Sequence, residues 1–305
     1  MAGPLLSRSK LLEVIQHARD AGKLPLGAER LLKDSMNRER LDLEALSKTV
    51  DALDADPGLR AFLPVLDLDD PHFYFWGYRM FIHLALAAAS RKPSDGSDDH
   101  DDDLMIDGSV RLSGEDLVLD AESGDAGGLL ITGDLVLSRG NLKLSDGARL
   151  FVMGNLTIDG NYLDDSEWSL VIVLGDVTIT GRCLSSGEFF VGGHLECPFS
   201  YFSYNHGHCH LLGGVTSRIF IESDHGDSQV WGDVDVDFLL IDEIKGLEWR
   251  DLTEGIPALR EILADDTVID ELLEEAGGFP EDIDTWDLTE RLLELAEADD
   301  DFLAR

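Results

Sequence analysis

A short phrase that recurs along the middle of the chain constrains the fold more than any other feature. It consists of a small residue, Asp or Asn, an aliphatic residue, any residue and a second aliphatic residue. Clear copies start at positions 133, 154, 175 and 232, and weaker copies at 115, 193 and 214. Successive intervals are 18, 21, 21, 18, 21 and 18 residues. A near-constant period of this size is typical of a solenoid in which each repeat forms one coil.

Glycines also divide single coils into three equal segments. Those at 133, 140, 147 and 154 enclose three segments of seven residues, and those at 175, 181, 187 and 193 enclose three of six. Three short strands separated by tight turns form a triangular coil, with glycine expected at corners that need a positive φ. Residues 104–245 are therefore predicted to form a triangular parallel β-solenoid of about seven coils. The polar Thr180 and Ser186 before two corner glycines favour a right-handed β-helix over the left-handed hexapeptide form.

Helical spacing of apolar residues occurs before and after this region. Residues 1–92 are predicted to form a helical N-terminal domain, in which the stretch from Phe73 to Leu84 is apolar on nearly every face and must be buried. Residues 93–103 are predicted to be an exposed acidic linker. Residues 246–305 are predicted to be an acidic helical region, with helix starts at Asp266 and Asp287 and a stop at Gly277 and Gly278. The expected fold class is α+β, with helices covering both ends of the solenoid.

The chain is strongly acidic, and its charge is unevenly placed. The formal net charge is −38, yet residues 1–92 contain 13 Lys plus Arg and 13 Asp plus Glu. The linker carries −6, residues 104–245 carry −16, and residues 246–305 carry another −16. Such a field repels phosphate, so we expect neither nucleic acid nor an anionic membrane as a partner. It attracts cations over a Debye length of roughly 8 Å, which favours a basic protein.

The sequence lacks the motifs that would support catalysis. It contains no nucleophile elbow, phosphate-binding loop, dinucleotide fingerprint or HExxH motif, and the predicted solenoid has only seven Lys plus Arg beside 23 acidic residues. We therefore expect a non-catalytic protein without a cofactor. Because no secretory signal is visible and the three cysteines form no framework of pairs, a cytoplasmic location is expected. No stretch reaches the 18 or more apolar residues of a membrane span.

Two groups of residues could bind an ion. The Asp and Asn residues of the phrase, at 116, 134, 155, 176 and 233, are predicted to stack on one edge of the solenoid. Carboxylates about 5 Å apart repel by only about 1 kcal/mol in water, and each can accept a backbone N–H in its own turn. A structural role is therefore favoured over calcium binding. His206, His208 and His210 would share one face of an exposed strand and could bind zinc or copper, although a polar surface role is favoured.

Aromatic residues surrounded by carboxylates indicate a surface for a basic partner. Two polar and aromatic stretches, 161–168 and 198–205, each contain a Tyr eight residues after the start of the phrase. Trp and Tyr dominate binding hot spots and carboxylates speed the encounter, so a partner-binding role is predicted; packing of the rings beneath a loop is the alternative. The predicted site residues are Tyr162, Asp164, Asp165, Glu167, Trp168, Tyr201 and Tyr204, with a supporting acidic row of Asp233, Asp235 and Asp237.

The phrases GDLVL, GNLTI, GDVTI and GDVDV resemble those of the bactofilin family of polymer-forming bacterial cytoskeletal proteins. The resemblance covers residues 104–245 and implies a right-handed β-helix core. Bactofilins stack end to end through bare solenoid termini, whereas helical segments are predicted at both ends here, which argues against polymerisation. In its acidic charge, expected cytoplasmic location and missing catalytic motifs, the chain is similar to the immunity proteins that bacteria pair with toxic nucleases.

These features together favour a binding protein that neutralises a basic toxin. Such an immunity protein would cover the nuclease groove that otherwise holds DNA or RNA phosphates. We expect it to be a monomer or a small homo-oligomer. A bactofilin-like cytoskeletal scaffold is the alternative, and a carbohydrate-active or ion-dependent enzyme is a third hypothesis.

Overall fold

The computed structural model describes the solenoid and the C-terminal helices. The described residues are 105–120, 128–145, 147–166, 168–203, 209–211, 213–223, 229–230, 232–241, 252–264, 266–280, 283–298 and 302–303. They form nineteen strands, numbered β1 to β19 in chain order, followed by three helices. The predicted helical domain at 1–92, including Phe73 to Leu84, and the acidic linker at 93–103 lie outside the described residues.

The strands form a parallel β-solenoid of about five turns with three strands in each turn, which confirms the solenoid predicted from the repeat. Through these turns, strands three apart along the chain pair in parallel and so lie on the same side. Side A contains β1 (Met105–Ile106), β4 (Gly128–Ile131), β7 (Arg149–Val152), β10 (Leu170–Val173), β13 (Glu188–Val191), β16 (Cys209–Leu211) and β18 (Gln229–Val230). Side B1 contains β2 (Val110–Ser113), β5 (Leu135–Ser138), β8 (Leu156–Asp159), β11 (Val177–Ile179) and β14 (Leu195–Glu196). Side B2 contains β3 (Leu117–Leu119), β6 (Leu142–Leu144), β9 (Tyr162–Asp164), β12 (Arg182–Ser185) and β15 (Phe199–Ser203).

The last turns differ from the first five because two sides merge. β17 (Gly214–Ser223) runs from side B1 into side B2 as one strand, and β19 (Asp233–Ile241) pairs with it along both sides. On side B1, Val234 and Val236 of β19 pack against the interior cluster, whereas Phe238 and Leu240 on side B2 belong to a separate cluster with the helices. In place of the predicted seven coils there are about five three-stranded turns, followed by two in which a strand of side A, β16 or β18, leads into one merged strand, β17 or β19. The right-handed form stays a prediction.

Aliphatic side chains fill the interior in register from turn to turn. They belong to one continuous cluster that takes inward residues from all three sides. Burial of each Leu or Val side chain contributes about 1.5 to 3 kcal/mol, so this column is a large part of what holds the turns together. The column on side B1, at most 1% exposed, consists of Leu135, Leu156, Val177, Leu195 and Val215.

Close approach between turns, rather than a positive φ, explains most of the corner glycines. At Gly154 an added Cβ would lie 2.7 Å from the carbonyl carbon of Gly133 in the preceding turn, and at Gly175 it would lie 2.9 Å from that of Gly154. A real Cβ does not approach a backbone atom so closely, so a side chain would separate the turns. Among the corner glycines named above, the expectation of a positive φ holds at Gly147 (72°). It is wrong for the glycines at 133, 140, 154, 175, 181, 187 and 193.

The repeat phrase occurs at two of the three corners, and this explains an error in the predicted register. The N–H of Gly133 donates to the carbonyl oxygen of Gly108 at 2.9 Å, so the turn before position 133 starts at 108 rather than at Glu115. The copy at Glu115 belongs instead to the corner between sides B1 and B2, where Asp116 stacks with Asn141. The first coil is consequently longer than the predicted 18 residues.

Three helices pack against side B2 of the last turns. They are α1 (Leu252–Ile262), α2 (Thr267–Glu275) and α3 (Thr285–Ala298). Their buried residues form a second apolar cluster with Phe199, Ile219 and Phe238 of the solenoid. A helical region after the solenoid is therefore confirmed, but it covers a side of the last strands rather than the predicted end. Among the described helices, none combines the length and apolarity that a membrane crossing requires.

The helix boundaries follow local capping residues. Asp266 precedes α2 as predicted, and Gly277 and Gly278, with φ of 70° and 90°, follow it as the predicted stop. The carboxylate of Asp284 accepts the N–H of Trp286 at 2.8 Å and therefore caps α3. The predicted helix start at Asp287 is wrong by about one helical turn, because the carboxylate that caps α3 lies three residues earlier in the chain.

Candidate protein-binding surface

The Asp and Asn residues of the corners form two ladders rather than the single predicted one. At the corner between sides A and B1, the side-chain oxygen of Asp134 accepts the N–H of Asn155 at 2.9 Å, and the Asn155 oxygen accepts that of Asp176 at 2.8 Å. Asp116 lies at the next corner, where its carboxylate accepts the N–H of Asn141 at 2.8 Å. Each bond joins one turn to the next, so the expected bond within the residue's own turn is wrong. Lys143, 2.7 Å from Asp116, helps to lower the pKa of that carboxyl.

We predict that the ladder at Asn155 is structural. Asn155→Ala should lower the free energy of unfolding by about 1 to 2 kcal/mol, because the N–H of Asp176 loses its acceptor. Urea denaturation measures the loss. As a control, EDTA added to the native chain should leave the denaturation midpoint unchanged; a lower midpoint with EDTA would assign the ladder to a cation instead.

Two predicted partner-binding residues, Tyr162 and Asp164, lie inside the solenoid. Both face inward from β9; Tyr162 is fully buried and Asp164 is 3% exposed. The Tyr162 hydroxyl donates to the Asp164 carboxylate at 3.1 Å and its ring packs 5.2 Å from that of Phe189. Because neither side chain reaches the surface, the prediction that they contact a partner is wrong. The Tyr162 ring belongs to the interior cluster of the solenoid, whereas the alternative was packing beneath a loop.

Asp164 is the centre of a buried polar cluster that closes the corner between β9 and β10. Its carboxylate accepts the hydroxyl of Ser169, the N–H of Ser166 at 3.1 Å and the hydroxyl of Ser185 at 3.4 Å. Burial raises the pKa of Asp164 to about 6, and the hydrogen bonds offset part of that rise. A carboxyl so enclosed has no route to a substrate or partner. The cluster therefore serves the fold.

The same corner presents two of the predicted residues at the surface. Asp165 is exposed, and the Trp168 ring is 37% exposed. Glu167, which lies between them in the sequence, is outside the described residues. Tyr204 is also outside the described residues. Asp165 and Trp168 thus remain candidates for partner contact.

Tyr201 faces away from the interior, against the C-terminal helices. The shared offset of Tyr162 and Tyr201 does not give them equivalent positions, because Cys183 pairs with Tyr162 on one side and with Ser200, not Tyr201, on the other. Arg182, the first residue of β12, lies seven residues after Gly175, whereas its pair Phe199 lies six residues after Gly193. A slip of one residue turns a side chain to the opposite face of a strand. Tyr201 is half-buried against the helical cluster, which limits what it can offer a partner.

The supporting acidic row lies on β19. Asp233, Asp235 and Asp237 are all exposed and alternate with inward Val residues, so their Cα atoms are about 6.6 Å apart. Arg218 approaches Asp237 at 3.7 Å, while both side chains remain partly in solvent. Trp168, at the corner between β9 and β10, lies three to four strand spacings from β19 along the solenoid, about 14 to 19 Å. The structure therefore does not bring the predicted residues together into one surface.

Helices α2 and α3 present an acidic and aromatic surface that the sequence-based predictions missed. Trp286 is 52% exposed and Phe279 is 57% exposed, and the ring N–H of Trp286 donates to the Glu290 carboxylate at 3.0 Å. We call this the acidic helical surface; besides the two aromatic residues it comprises the exposed Asp270, Glu271, Glu274, Glu275, Asp287, Glu290, Glu294 and Glu297.

A signal for this surface is present in the sequence. Leu288, Leu292 and Ala296 form the buried stripe of α3 at the spacing of four residues that marks one helix face. Trp286 lies two residues before Leu288, on the opposite face, so its exposure follows from the helical period. The prediction for these residues extends only to an acidic helical region.

Of the three histidines considered as metal ligands, the structure describes only His210. His206 and His208 lie outside the described residues, and His210 is fully buried with its ring stacked 4.6 Å from that of Phe190. The expectation of an exposed strand is therefore wrong for His210. Throughout the described ranges, no group of three or more His, Cys, Asp or Glu side chains is arranged to hold a metal ion.

The acidic helical surface is thus the best candidate for a site, because it combines charge with exposed aromatic rings. Two of its carboxylates already pair with arginines, Asp270 with Arg260 and Glu294 with Arg291. Comparison with known proteins does not add support to the likeness to bactofilins or immunity proteins: no protein-family model, curated protein or solved structure matches this chain.

Proposed function

We propose that this chain is a non-catalytic binding protein whose partner is a basic protein. The observation that carries the proposal is the exposure of Trp286 and Phe279 among eight exposed carboxylates on α2 and α3. Large aromatic rings lose little conformational entropy when they are buried by a partner, so they can act as anchors. The surrounding carboxylates attract a cationic surface and speed the encounter.

Charge alone would not hold such a complex together. An exposed ion pair contributes only about 0 to 1 kcal/mol, and salt screens it. Affinity is therefore expected to depend on the aromatic anchors, and the association rate on the carboxylates. The hydrogen bond from Trp286 to Glu290 holds the indole ring in one orientation before binding, which reduces the ordering cost.

More specifically, we propose an immunity protein that neutralises a nuclease-type toxin by covering its active groove. A nuclease groove must be cationic to hold phosphates, so a row of carboxylates is complementary to it. The net charge of −38 supports this choice of partner. We thus propose that the partner is a toxin, that its nuclease groove is the part covered, and that the complex forms in the cytoplasm.

Binding to purified basic nuclease domains tests the proposal. Calorimetry and stopped-flow association at 50 and 300 mM NaCl should show a tight complex whose association rate falls several-fold at high salt. A panel in which no basic nuclease binds, or binding that is indifferent to salt, would contradict the proposal.

The Trp286→Ala variant should weaken such a complex by at least tenfold, which corresponds to about 1.4 kcal/mol, by removing an anchor. Trp286→Phe should recover part of the affinity because it restores a ring. Trp168→Ala removes the other exposed Trp, which lies at a corner of the solenoid, and should leave the affinity unchanged if the acidic helical surface rather than that corner is the site. An equal loss for both Trp variants, or none for either, would show that the acidic helical surface is not the site.

A bactofilin-like scaffold remains the second candidate. Its support is that, among the described strands, β19 pairs only with β17, so its other edge could accept a strand of another copy. Negative-stain electron microscopy and sedimentation velocity at physiological salt distinguish the two candidates. Filaments would favour the scaffold, and discrete small particles the binding protein.

A further inference from the structure

Side A carries an apolar column that points away from the interior and is nevertheless buried. Its neighbours along the strands, such as Val171 and Val173, belong to the interior cluster, so the column faces outward by alternation. Each member is at most 1% exposed. The outward column, aligned across β4, β7, β10, β13 and β16, consists of the apolar Leu130, Phe151, Ile172 and Phe190 and ends at His210, whose ring stacks on that of Phe190.

The other two sides show that such burial is not a general property of this solenoid. On side B1 the outward Val136, Thr157 and Thr178 are half-buried and Glu196 is exposed. On side B2 the outward apolar residues of the last turns belong to the cluster formed with α1, α2 and α3. The outward column belongs to neither this cluster nor the interior one. Full burial of large outward side chains requires a covering layer, and the described helices lie on side B2.

We propose that residues 73–89 of the same chain dock lengthwise on the outward column. This segment is apolar except for Arg79 and His83, and the sequence predicts it to be helical. As a helix, 17 residues would be about 26 Å long. The outward column covers five strands of side A at about 4.8 Å per step, and so spans about 19 Å. The segment is therefore long enough to cover the whole column. The same face also buries Arg149 and Glu188 beside the column, so the match in polarity applies to the column itself.

The connection of the chain is consistent with this docking. Residues 90–104 join the segment to β1, and 15 residues can extend over as much as about 50 Å. β1 itself pairs with β4 on side A, so the chain enters the solenoid at the edge of the face in question. A tether of this kind gives the segment an effective concentration in the mM range, which favours it over a segment of a second copy. The acidic run at 93–103 would remain in solvent.

Photo-crosslinking in the full chain tests the docking. Tyr74, Phe75 and Trp76, which point about 100° apart around a helix and so sample different faces of the segment, are replaced one at a time by p-benzoylphenylalanine. After irradiation, the monomer band should contain peptides of the segment linked to peptides with Phe151, Ile172 or Phe190. Links to the outward residues of sides B1 or B2, links between two chains, or no link from any of the three positions would overturn the proposal.

A pair of substitutions gives an independent readout. Trp76→Asp combined with Phe81→Asp should expose the outward column and raise the fluorescence of the hydrophobic dye ANS several-fold, while the β signal in circular dichroism is kept. Arg91→Asp, in the connecting residues, is the matched charge control and should leave the fluorescence unchanged. Unchanged fluorescence of a folded double variant would overturn the proposal, and if that variant does not fold, the crosslinks decide.

Discussion

When the pH rises from 3 to 8, the free energy of unfolding of the native chain should fall by about 3 kcal/mol more than that of the Asp164→Asn variant. The buried Asp164 carboxyl has a pKa of about 6 in the folded chain, whereas an unperturbed Asp has a pKa of 3.8. A difference of about two pKa units corresponds to about 3 kcal/mol. Urea denaturation of both proteins across this pH range measures the difference.

The direction of the effect follows from which state binds the proton more tightly. Because burial raises the pKa in the folded state, the folded chain holds the Asp164 proton at pH values where the unfolded chain has released it. This contribution is fully present below pH 4 and is lost as the pH rises through about 6. The amide of the Asp164→Asn variant has no proton to release in this range, so the variant lacks the titration.

The neighbouring Asp165 provides a matched control. It is exposed, and Asp165→Asn makes the same change of charge outside the buried cluster. This control should keep the pH profile of the native chain. If Asp164→Asn also keeps the pH profile of the native chain, the Asp164 carboxyl does not titrate within the fold. The described burial of this carboxyl among Ser166, Ser169 and Ser185 is then incorrect.

Gly154→Ala should lower the free energy of unfolding by about 3 kcal/mol, the upper end of the usual cost of overpacking. The added methyl group would meet the backbone of Gly133, with 2.7 Å to its carbonyl carbon. Backbone cannot move aside without lengthening the 3.0 Å hydrogen bond from the Gly154 N–H to the Gly133 carbonyl. Urea denaturation with circular dichroism detection measures the loss.

Thr157→Ala is the control for this prediction. Thr157 lies three residues further along the chain, in β8, faces outward and is half-buried, so its truncation should cost less than about 1 kcal/mol. Equal denaturation midpoints for Gly154→Ala and Thr157→Ala would show that the turns can separate at this corner, contrary to the described packing.

The corners of the solenoid could be predicted because they repeat a chemical requirement. Gly133, Gly154 and Gly175 permit close approach, and the residue after each of them carries an oxygen that accepts an N–H of the next turn. The physical reason assigned to the glycines was nevertheless wrong. A glycine in a sequence shows only that a side chain is missing. A corner that needs φ > 0 and a corner that needs space for the neighbouring turn both favour glycine, so the sequence does not distinguish them.

The candidate site could be predicted only in part, because side-chain direction in a strand depends on single residues at the corners. Tyr162 and Tyr201 share an offset in the sequence, yet one lies in the interior and the other faces the helices. The acidic charge of the C-terminal region was visible from composition. Whether Trp168 or Trp286 is the more exposed ring depends on how helices and corners pack, which no count of residues provides.

The three corners also differ in how much chain they can accept. Between sides A and B1 two or three residues connect successive strands, and between B1 and B2 the number is again two or three. Between sides B2 and A it varies from two residues, after β12, to eight, after β3. Only this third corner is therefore expected to tolerate insertions. An epitope tag, fluorophore or grafted loop placed there would project from the solenoid without disturbing the stacking of its turns.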